Sequence, residues 1–334
     1  MKHLASQSRK TYQLLIKDIG SILDAARQNT YHVVNEIMVQ TYWEIGKRIV
    51  SYEQGGKVRA RYGERLLERI AADLQGRRGF SVDNLERMRA FFSLFPKSET
   101  ASRKLSWSHY CLLMRVKDHR ARRFYLIETE REGWSVRNLD RQINALTYER
   151  LALSKSKKNA LALARKGQVI GRSDDLIKDP YILEFLNLEE SPRYSESELE
   201  QKIIDNLQQF LLELGKGFSF VARQQRLTIE DEHFHIDLVF YNRVLKCFAL
   251  IELKIGKLTH RDLGQLQMYV NYYDRTIKND KENPTIGILL CADKKEAIVH
   301  YTLPENNKQI FASEYKLCLP KREELEKRMR KLLS

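Results

Sequence analysis

Two short apolar runs, HIDLVFY at 235–241 and FALIELK at 248–254, constrain this chain more than any other feature. Both are rich in Ile, Val, Leu, Phe and Tyr, the residues that suit a pleated, half-buried backbone. The intervening residues, 242–246, are few enough for a hairpin. Side chains alternate along a strand, so Glu252 and Lys254 point one way while Ile251 and Leu253 point the other. Antiparallel pairing then sets Asp237 beside Glu252. Two carboxylates and an ammonium converge on one face of a sheet.

The neighbours of Glu252 and Lys254 are Phe248, Ala249, Leu250, Ile251, Leu253 and Ile255, the pattern of a strand covered on both sides. An isolated Glu-Leu-Lys usually marks a solvated sheet face. Within so apolar a strand, charges are costly unless paired or bound to a metal. Asp237 and Glu252 supply the oxygen ligands that Mg²⁺ prefers, and the Leu253 carbonyl is a third candidate ligand. Lys254 then sits where it can orient a water beside the cation and offset charge developing on a phosphodiester.

The run resembles the PD-(D/E)XK nuclease superfamily, whose core is a mixed sheet with flanking helices. The following segment, THRDLGQLQMYVNYYD at 259–274, suits a helix capped by Thr259 or Asp262. Gln265 and Tyr269 are four apart and share a helical face. Alone, Tyr269 reads as a core aromatic. The Q-x-x-x-Y spacing is similar to the helix motif of RecB-like nucleases, which implies that both side chains face the site and touch its metal-binding residues or a nucleic-acid backbone. Upstream, 195–214 reads as one amphipathic helix with Leu199, Ile203, Leu207, Phe210 and Leu214 on a face, opened by a Ser195–Glu198 capping box. The resemblance implies a first-helix Glu in the metal site. Glu200 is the candidate, although Glu196 and Glu198 lie close and first turns favour acids in any case.

A strand is expected at 218–229, with Arg223, Gln224, Gln225 and Arg226 as backbone contacts or plain edge residues. Further strands are expected at 286–292 and near 316–319, with a helix from 294 between them. His233 and His235 flank the Asp237 strand, but Mg²⁺ prefers oxygen, so both are read as structural or peripheral. His109 is read as a packing or DNA-contact residue.

With its first half included, the chain is similar to the YhcG-like proteins, which join a helical N-terminal domain to a PD-(D/E)XK domain. The phrases that carry this are TYWEIGKRI (41–49), ARYGERLLERIAADL (60–74), GFSVDNLERMRAFF (79–92), LSWSHY (105–110) and IKDPYILEFLNL (177–188), besides the C-terminal motifs. The resemblance implies a Mg²⁺- or Mn²⁺-dependent endonuclease acting on DNA, with genome defence, restriction and repair all in keeping with it. Two alternatives stay open: a non-cleaving nucleic-acid-binding or assembly protein on the same fold, and an RNA-processing nuclease. The intact set of Asp237, Glu252, Lys254, Gln265 and Tyr269 favours cutting.

The expected organisation is a helical, basic domain at 1–166, a connecting segment at 167–194 and an α/β nuclease domain at 195–334. Helices are expected at 12–28, 31–54, 63–74, 82–95, 107–116, 121–132 and 136–154. The chain carries a net charge of +14, and 101–166 alone holds 16 Lys and Arg against 6 Asp and Glu. Such a surplus binds phosphate polymers through counterion release, or is simply a solvated face. GFSVDNLER at 79–87 is echoed by GWSVRNLDR at 133–141. Ser81 and Ser135 are placed to cap helices, with Phe80 and Trp134 stapling onto Leu85 and Leu139. Such starts suit helix-turn-helix units, with Asn84, Arg87, Asn138 and Arg141 available to DNA, or a reused helix-start device.

Cys111, Cys247, Cys291 and Cys318 are scattered without a C-x-x-C, so a zinc site or disulfide framework is not expected. No apolar run is long enough to span a bilayer, and the first residues lack a signal-peptide core. A cytoplasmic protein is therefore expected. The helical half and the charged amphipathic segment at 321–333 point to a homo-oligomer.

Overall fold

The structure, a computed structural model, describes residues 2–54, 65–74, 77–96, 104–153, 157–188, 194–319, 321–323, 325, 327 and 329. They form two compact units, Met1–Asp140 and Arg141–Ser334. No helix among the described residues is long and apolar enough to cross a membrane.

The first unit is helical. Helix α1 (Lys2–Gln54) is followed by α2 (Leu66–Asp73), α3 (Val82–Leu94), α4 (Trp107–Arg115), α5 (His119–Glu132) and α6 (Val136–Asn144). The two helices expected at 12–28 and 31–54 are one. No Gly or Pro interrupts α1 at Asn29-Thr30, and the Thr30 hydroxyl is satisfied within the helix by the Ala26 carbonyl at 2.9 Å. Ile49, Leu67, Leu85 and Met88 form a buried cluster flanked by Tyr42, Phe80 and Trp107. Gly46 lets α1 meet α3 closely: a Cβ there would stand 2.0 Å from the Met88 carbonyl oxygen.

Ser81 and Ser135 both cap, accepting from the Asn84 and Asn138 amides at 3.4 and 3.2 Å. Asn84 is tied to the Gly79 carbonyl at 2.6 Å, and Arg141 is paired with Glu184 at 2.9 Å. These two side chains hold the fold locally and are not free for DNA. His109 likewise closes the α4 capping box with Ser106 and reaches the Trp134 carbonyl at 3.0 Å.

The second unit opens at Arg141, within α6, and continues with α7 (Thr147–Leu153) and α8 (Lys157–Lys166). The helix expected over 136–154 is broken at Ala145-Leu146, where Leu146 adopts φ 51° and Arg150 takes the freed Ala145 carbonyl at 2.8 Å. Strand β1 (Tyr181–Ile182) follows, then α9 (Glu196–Asp205) and α10 (Leu207–Leu214). The single helix expected at 195–214 is interrupted at Asn206 (φ −116°, ψ 32°), whose amide bonds the Lys202 carbonyl at 3.0 Å. Strands β2 (Phe218–Ile229), β3 (Glu232–Asn242) and β4 (Cys247–Lys257), helix α11 (His260–Tyr272), β5 (Ile286–Asp293), α12 (Glu296–Thr302) and β6 (Ile310–Lys316) complete it. The last strand precedes the position expected near 316–319. Parallel pairing of Ile310 to Glu314 with Gly287 to Cys291 of β5, not the apolar 317–319, defines it.

The six strands form one mixed sheet in the order β1-β6-β5-β4-β3-β2. Strands β2, β3 and β4 are antiparallel neighbours, while β4, β5, β6 and β1 run parallel. Leu199, Ile203, Phe210 and Leu214 of α9 and α10 pack with Ile251 and Leu253 on one face. Leu263, Leu266 and Val270 of α11 pack with Leu250 and Leu289 on the other. Both faces are covered, which explains the continuous apolar runs of β4 and β5. Cys247 and Cys291 are buried within these strands as small apolar groups.

A buried ion pair anchors the sheet edge. Glu213 of α10 meets Arg150 at 2.5 Å, and both side chains are fully buried. The Glu213 carboxylate also accepts the Ile182 amide at 3.0 Å, and Lys178 donates to its backbone carbonyl. Burial opposes the Glu213 charge, but Arg150, Lys178 and Arg141 outweigh it and hold the carboxyl at about 2. Of the segment at 321–333, Leu325 and Met329 are buried in the single chain; the rest lies largely outside the described residues.

Candidate active site

The hairpin of β3 and β4 pairs Asn242 with Cys247 at its turn and ends at Leu238 opposite Ile251. Beyond that pair the strands part. In the fork, the Asp237 carboxylate replaces the missing backbone partner: its Oδ2 accepts the Leu253 amide at 2.8 Å. Glu252 Oε1 accepts the Asp237 amide at 3.3 Å. The two acids therefore clasp each other's strand, and Asp237, Glu252 and Leu253 lie together.

Helix α9 brings a third carboxylate. Glu200 is buried, with its side chain 4% exposed. Its Oε2 and Asp237 Oδ1 are bridged by the amide nitrogen of Gln224, at 2.5 and 3.0 Å. Glu200 Oε1 is buried and accepts no hydrogen bond, although Arg223 Nε stands 2.9 Å away. The contact is an ion pair without an aligned N–H. Lys254 pairs with Glu196 of α9 at 3.1 Å.

The Q-x-x-x-Y pair lies on α11. Gln265 donates to the Tyr269 hydroxyl at 2.5 Å, which in turn donates to the His235 carbonyl at 3.3 Å. Their hydrogen bonds run to each other and to β3, not to Asp237, Glu252 or Lys254. Burial, and then the nearby Glu252 and Asp237 carboxylates, push the Tyr269 hydroxyl up against the pull of Gln265. His233 contacts Arg226 and Thr228, away from the acids.

The electrostatics follow from burial with like charges. Burial and then Asp237 push Glu252 up to about 8. Burial also raises Asp237, opposed by the Leu253 amide and Gln224. Burial works against the Lys254 charge, but Glu196 outweighs it and holds the ammonium above its ordinary range. Four carboxyl groups (Glu196, Glu200, Asp237, Glu252) thus meet two cationic side chains (Arg223, Lys254), so the acids outnumber the bases even with Glu252 protonated.

Among the described residues no group of three or more His, Cys, Asp or Glu side chains is arranged to hold a metal ion by itself. A site with fewer protein ligands fits the fork: a buried Glu200 oxygen that accepts no hydrogen bond, the surplus of acids and an all-oxygen donor set suit a hard cation that keeps its waters. A cleft of about 980 Å³ lined by Asp179, Lys294, His300 and Glu314 lies elsewhere and contains none of these residues.

Sequence reasoning singled out Asp237, Glu252, Leu253, Lys254 and Glu200, which the fork and α9 bring together. It gave no specific role to Gln224, Arg223 or Glu196. Their contacts depend on where α9 crosses β2 and on the left-handed backbone at Gln224, neither of which strand alternation announces.

Two solved structures show a remote likeness. A repair endonuclease from Pyrococcus abyssi matches at 17% identity over 39% of this chain and 50% of that one, with a TM-score of 0.27. A complex titled EndoMS-dsDNA2 matches at 19% identity over 38% and 46%, with a TM-score of 0.28. At that similarity neither bears on what this chain does. The sequence comparisons are stronger. Residues 18–150 match the DUF1016 N-terminal domain, and residues 174–330 match the YhcG PDDEXK nuclease domain. The protein named "Putative nuclease YhcG" of Escherichia coli (strain K12) is 40% identical, across 96% of this chain and 94% of that protein. The chain, a helical N-terminal region followed by a mixed six-stranded α/β domain, belongs to the YhcG family of PDDEXK nucleases.

Proposed function

We propose that this chain hydrolyses phosphodiester bonds within DNA at the fork of β3 and β4, with Mg²⁺ or Mn²⁺ as cofactor. The observation that carries the reading is the convergence of Asp237 and Glu252 where their strands separate, with Lys254 one strand step beyond. Asp237, Glu252 and the Leu253 carbonyl would hold the cation; a residue's N–H and C=O point to the same strand edge, and the Leu253 N–H already faces Asp237. When bound, the cation makes water a stronger nucleophile and screens charge on the phosphate. Lys254, held by Glu196, orients that water and stabilises the developing negative charge. Glu200 would bound the cation on the α9 side, opposite Asp237. Tyr269 and Gln265 fix the β3 backbone two residues before Asp237. The basic stretch at 101–166 supplies charge for gripping the polymer.

The test uses the purified full chain on supercoiled, linear, branched and single-stranded DNA and on RNA, with Mg²⁺, Mn²⁺ or EDTA. Metal-dependent DNA products are expected, lost in Asp237→Ala, Glu252→Ala and Lys254→Ala while binding persists. Equal cutting by all three variants overturns the site. Salt-sensitive binding with no products under any cation favours the non-cleaving alternative, and products from RNA alone move the substrate.

We also propose that the chain self-associates through α1. Ile16, Ile19, Leu23, Val33 and Ile37 are exposed, whereas Val39, Trp43 and Ile49 of the same helix are buried. Ile16, Leu23 and Ile37 fall on one heptad position, and Ile19 and Val33 on the other. That spacing suits the same helix of a second copy.

A further inference from the structure

We propose that Gln224 is a two-state ligand of the site: its amide nitrogen bridges Glu200 and Asp237, and a half-turn of the same amide would present its oxygen to a cation held between them. The proposal rests on the nuclease reading above and names a residue that the family resemblance does not.

Three observations support it. The first is register. Arg223 pairs with Leu238 and Gln225 with Ile236, so Gln224 stands opposite Asp237, yet that pair is missing from the ladder. The second is backbone conformation. Gln224 has φ 44°, the left-handed region that a non-glycine residue adopts only when its surroundings impose it, and β2 carries a register shift between Phe220 and Ala222 just before it. This turns the side chain out of the edge strand's alternation. Among the described residues, its neighbour Gln225 instead bonds a backbone carbonyl of its own strand, at 3.4 Å. The third is chemistry. One amide nitrogen serves carboxylate oxygens on two different elements, Glu200 on α9 and Asp237 on β3. A cation between those acids would make the same bridge.

An amide carries a donor and an acceptor of nearly equal size on one carbon. Facing two carboxylates without a cation, the nitrogen must point inward. Facing a hard cation, the oxygen must, because Mg²⁺ and Mn²⁺ take oxygen donors. Glutamine suits both states with one rotation of its terminal torsion. A glutamate would repel the acids in the empty site, and a lysine would keep the cation out.

The experiment measures Mn²⁺ binding to the full chain by calorimetry and electron paramagnetic resonance, with folding checked by circular dichroism in EDTA. The variants are Gln224→Met, which keeps the length and removes both polar ends, and Gln224→Glu, which keeps an oxygen and removes the donor. We expect Gln224→Met to weaken Mn²⁺ about tenfold or more. Gln224→Glu should bind at least as tightly as the parent but melt at a lower temperature in EDTA. Equal or tighter binding by Gln224→Met overturns the proposal, because a residue that only bridges the acids competes with the cation and its removal would help binding. Failure of Gln224→Glu to exceed Gln224→Met overturns it as well. If the parent cuts and binds but Gln224→Met binds equally, the nuclease reading stands and Gln224 alone is wrong. A parent that binds no Mn²⁺ sinks both.

Discussion

Asp237 accepts the Leu253 amide at 2.8 Å at the first position where β3 and β4 no longer pair, so a side chain finishes a ladder that the backbone leaves open. This gives Asp237 a structural task beside its proposed chemical one, and the two can be separated. Asp237→Asn keeps an acceptor for the amide and removes the charge. A stability loss of only about 0.5–1.5 kcal/mol is expected, against a drop in cleavage on the order of 10²-fold or more. Thermal melting and single-turnover cleavage on the same preparation check it. A collapse of stability with proportionate loss of activity would mean that Asp237 is only a clasp.

Glu252 carries the pH dependence. Its carboxyl is pushed up from 4.5 to about 8 by burial first and Asp237 second. Between those values the folded, cation-free chain holds a proton that the unfolded chain has released. Stability in EDTA should therefore fall as pH rises through that window and level off above about 8. Cation binding must displace the proton, so apparent Mn²⁺ affinity should climb over the same range. Glu252→Gln should flatten the EDTA stability profile. A parental profile that is flat between about pH 5 and 8 would exclude this role.

The Arg150–Glu213 pair behaves in the opposite sense. Glu213 is held at about 2, below its ordinary 4.5, so its contribution is present above 4.5 and lost as pH falls towards about 2. Glu213→Ala leaves Arg150 buried without its partner and should cost about 3–5 kcal/mol. Urea denaturation of the full chain, followed by hydrogen exchange on β1 and α10, reads this out. An unchanged midpoint would show that the pair is dispensable.

At Gly46 a methyl group has no room, because the Met88 carbonyl oxygen would lie 2.0 Å away. Gly46→Ala should lower stability by about 1–3 kcal/mol despite the better helix propensity of alanine. A melting temperature at or above the parent's would mean that α1 and α3 shift apart freely.

The α1 stripe makes a further prediction. Leu23→Lys with Ile37→Lys places charges on one heptad position and should convert an associated parent to monomers in sedimentation velocity, with cleavage chemistry intact. A monomeric parent at micromolar concentration refutes association by this route.

Much of the fold and part of the site were legible in the sequence. Alternation along 235–241 and 248–254 placed Asp237 against Glu252, because register in a covered sheet is fixed by which side chains must be buried. The boundaries of β2 and the cap of α11 were equally plain, since strand composition and a Thr-x-x-Asp box are local signals. What escaped depends on side-chain contacts. The breaks at Asn206 and Leu146 occur in runs with sound helical periodicity, and each is capped by a side chain only four or five residues from the carbonyl it takes, a bond that the apolar spacing does not announce. Gln224 read as one of four polar edge residues, because nothing nearby announces a left-handed conformation in a non-glycine residue. Arg141, for which DNA contact and a reused helix-start device were both open, is tied to Glu184 by a pairing that no local pattern reveals.

The two-residue strand β1 has a consequence for the order of assembly. Tyr181 aligns with Tyr315, so one border of the sheet is sealed by the earliest strand of this unit meeting the latest. During synthesis the intervening strands emerge before β6, and that border stays unsealed until β6 follows them. Contacts so distant in sequence close slowly. A chain terminated before β6 would leave Ile182 and its Glu213 clamp without the strand they were built to meet, and so should be degraded instead of accumulating as a shorter nuclease.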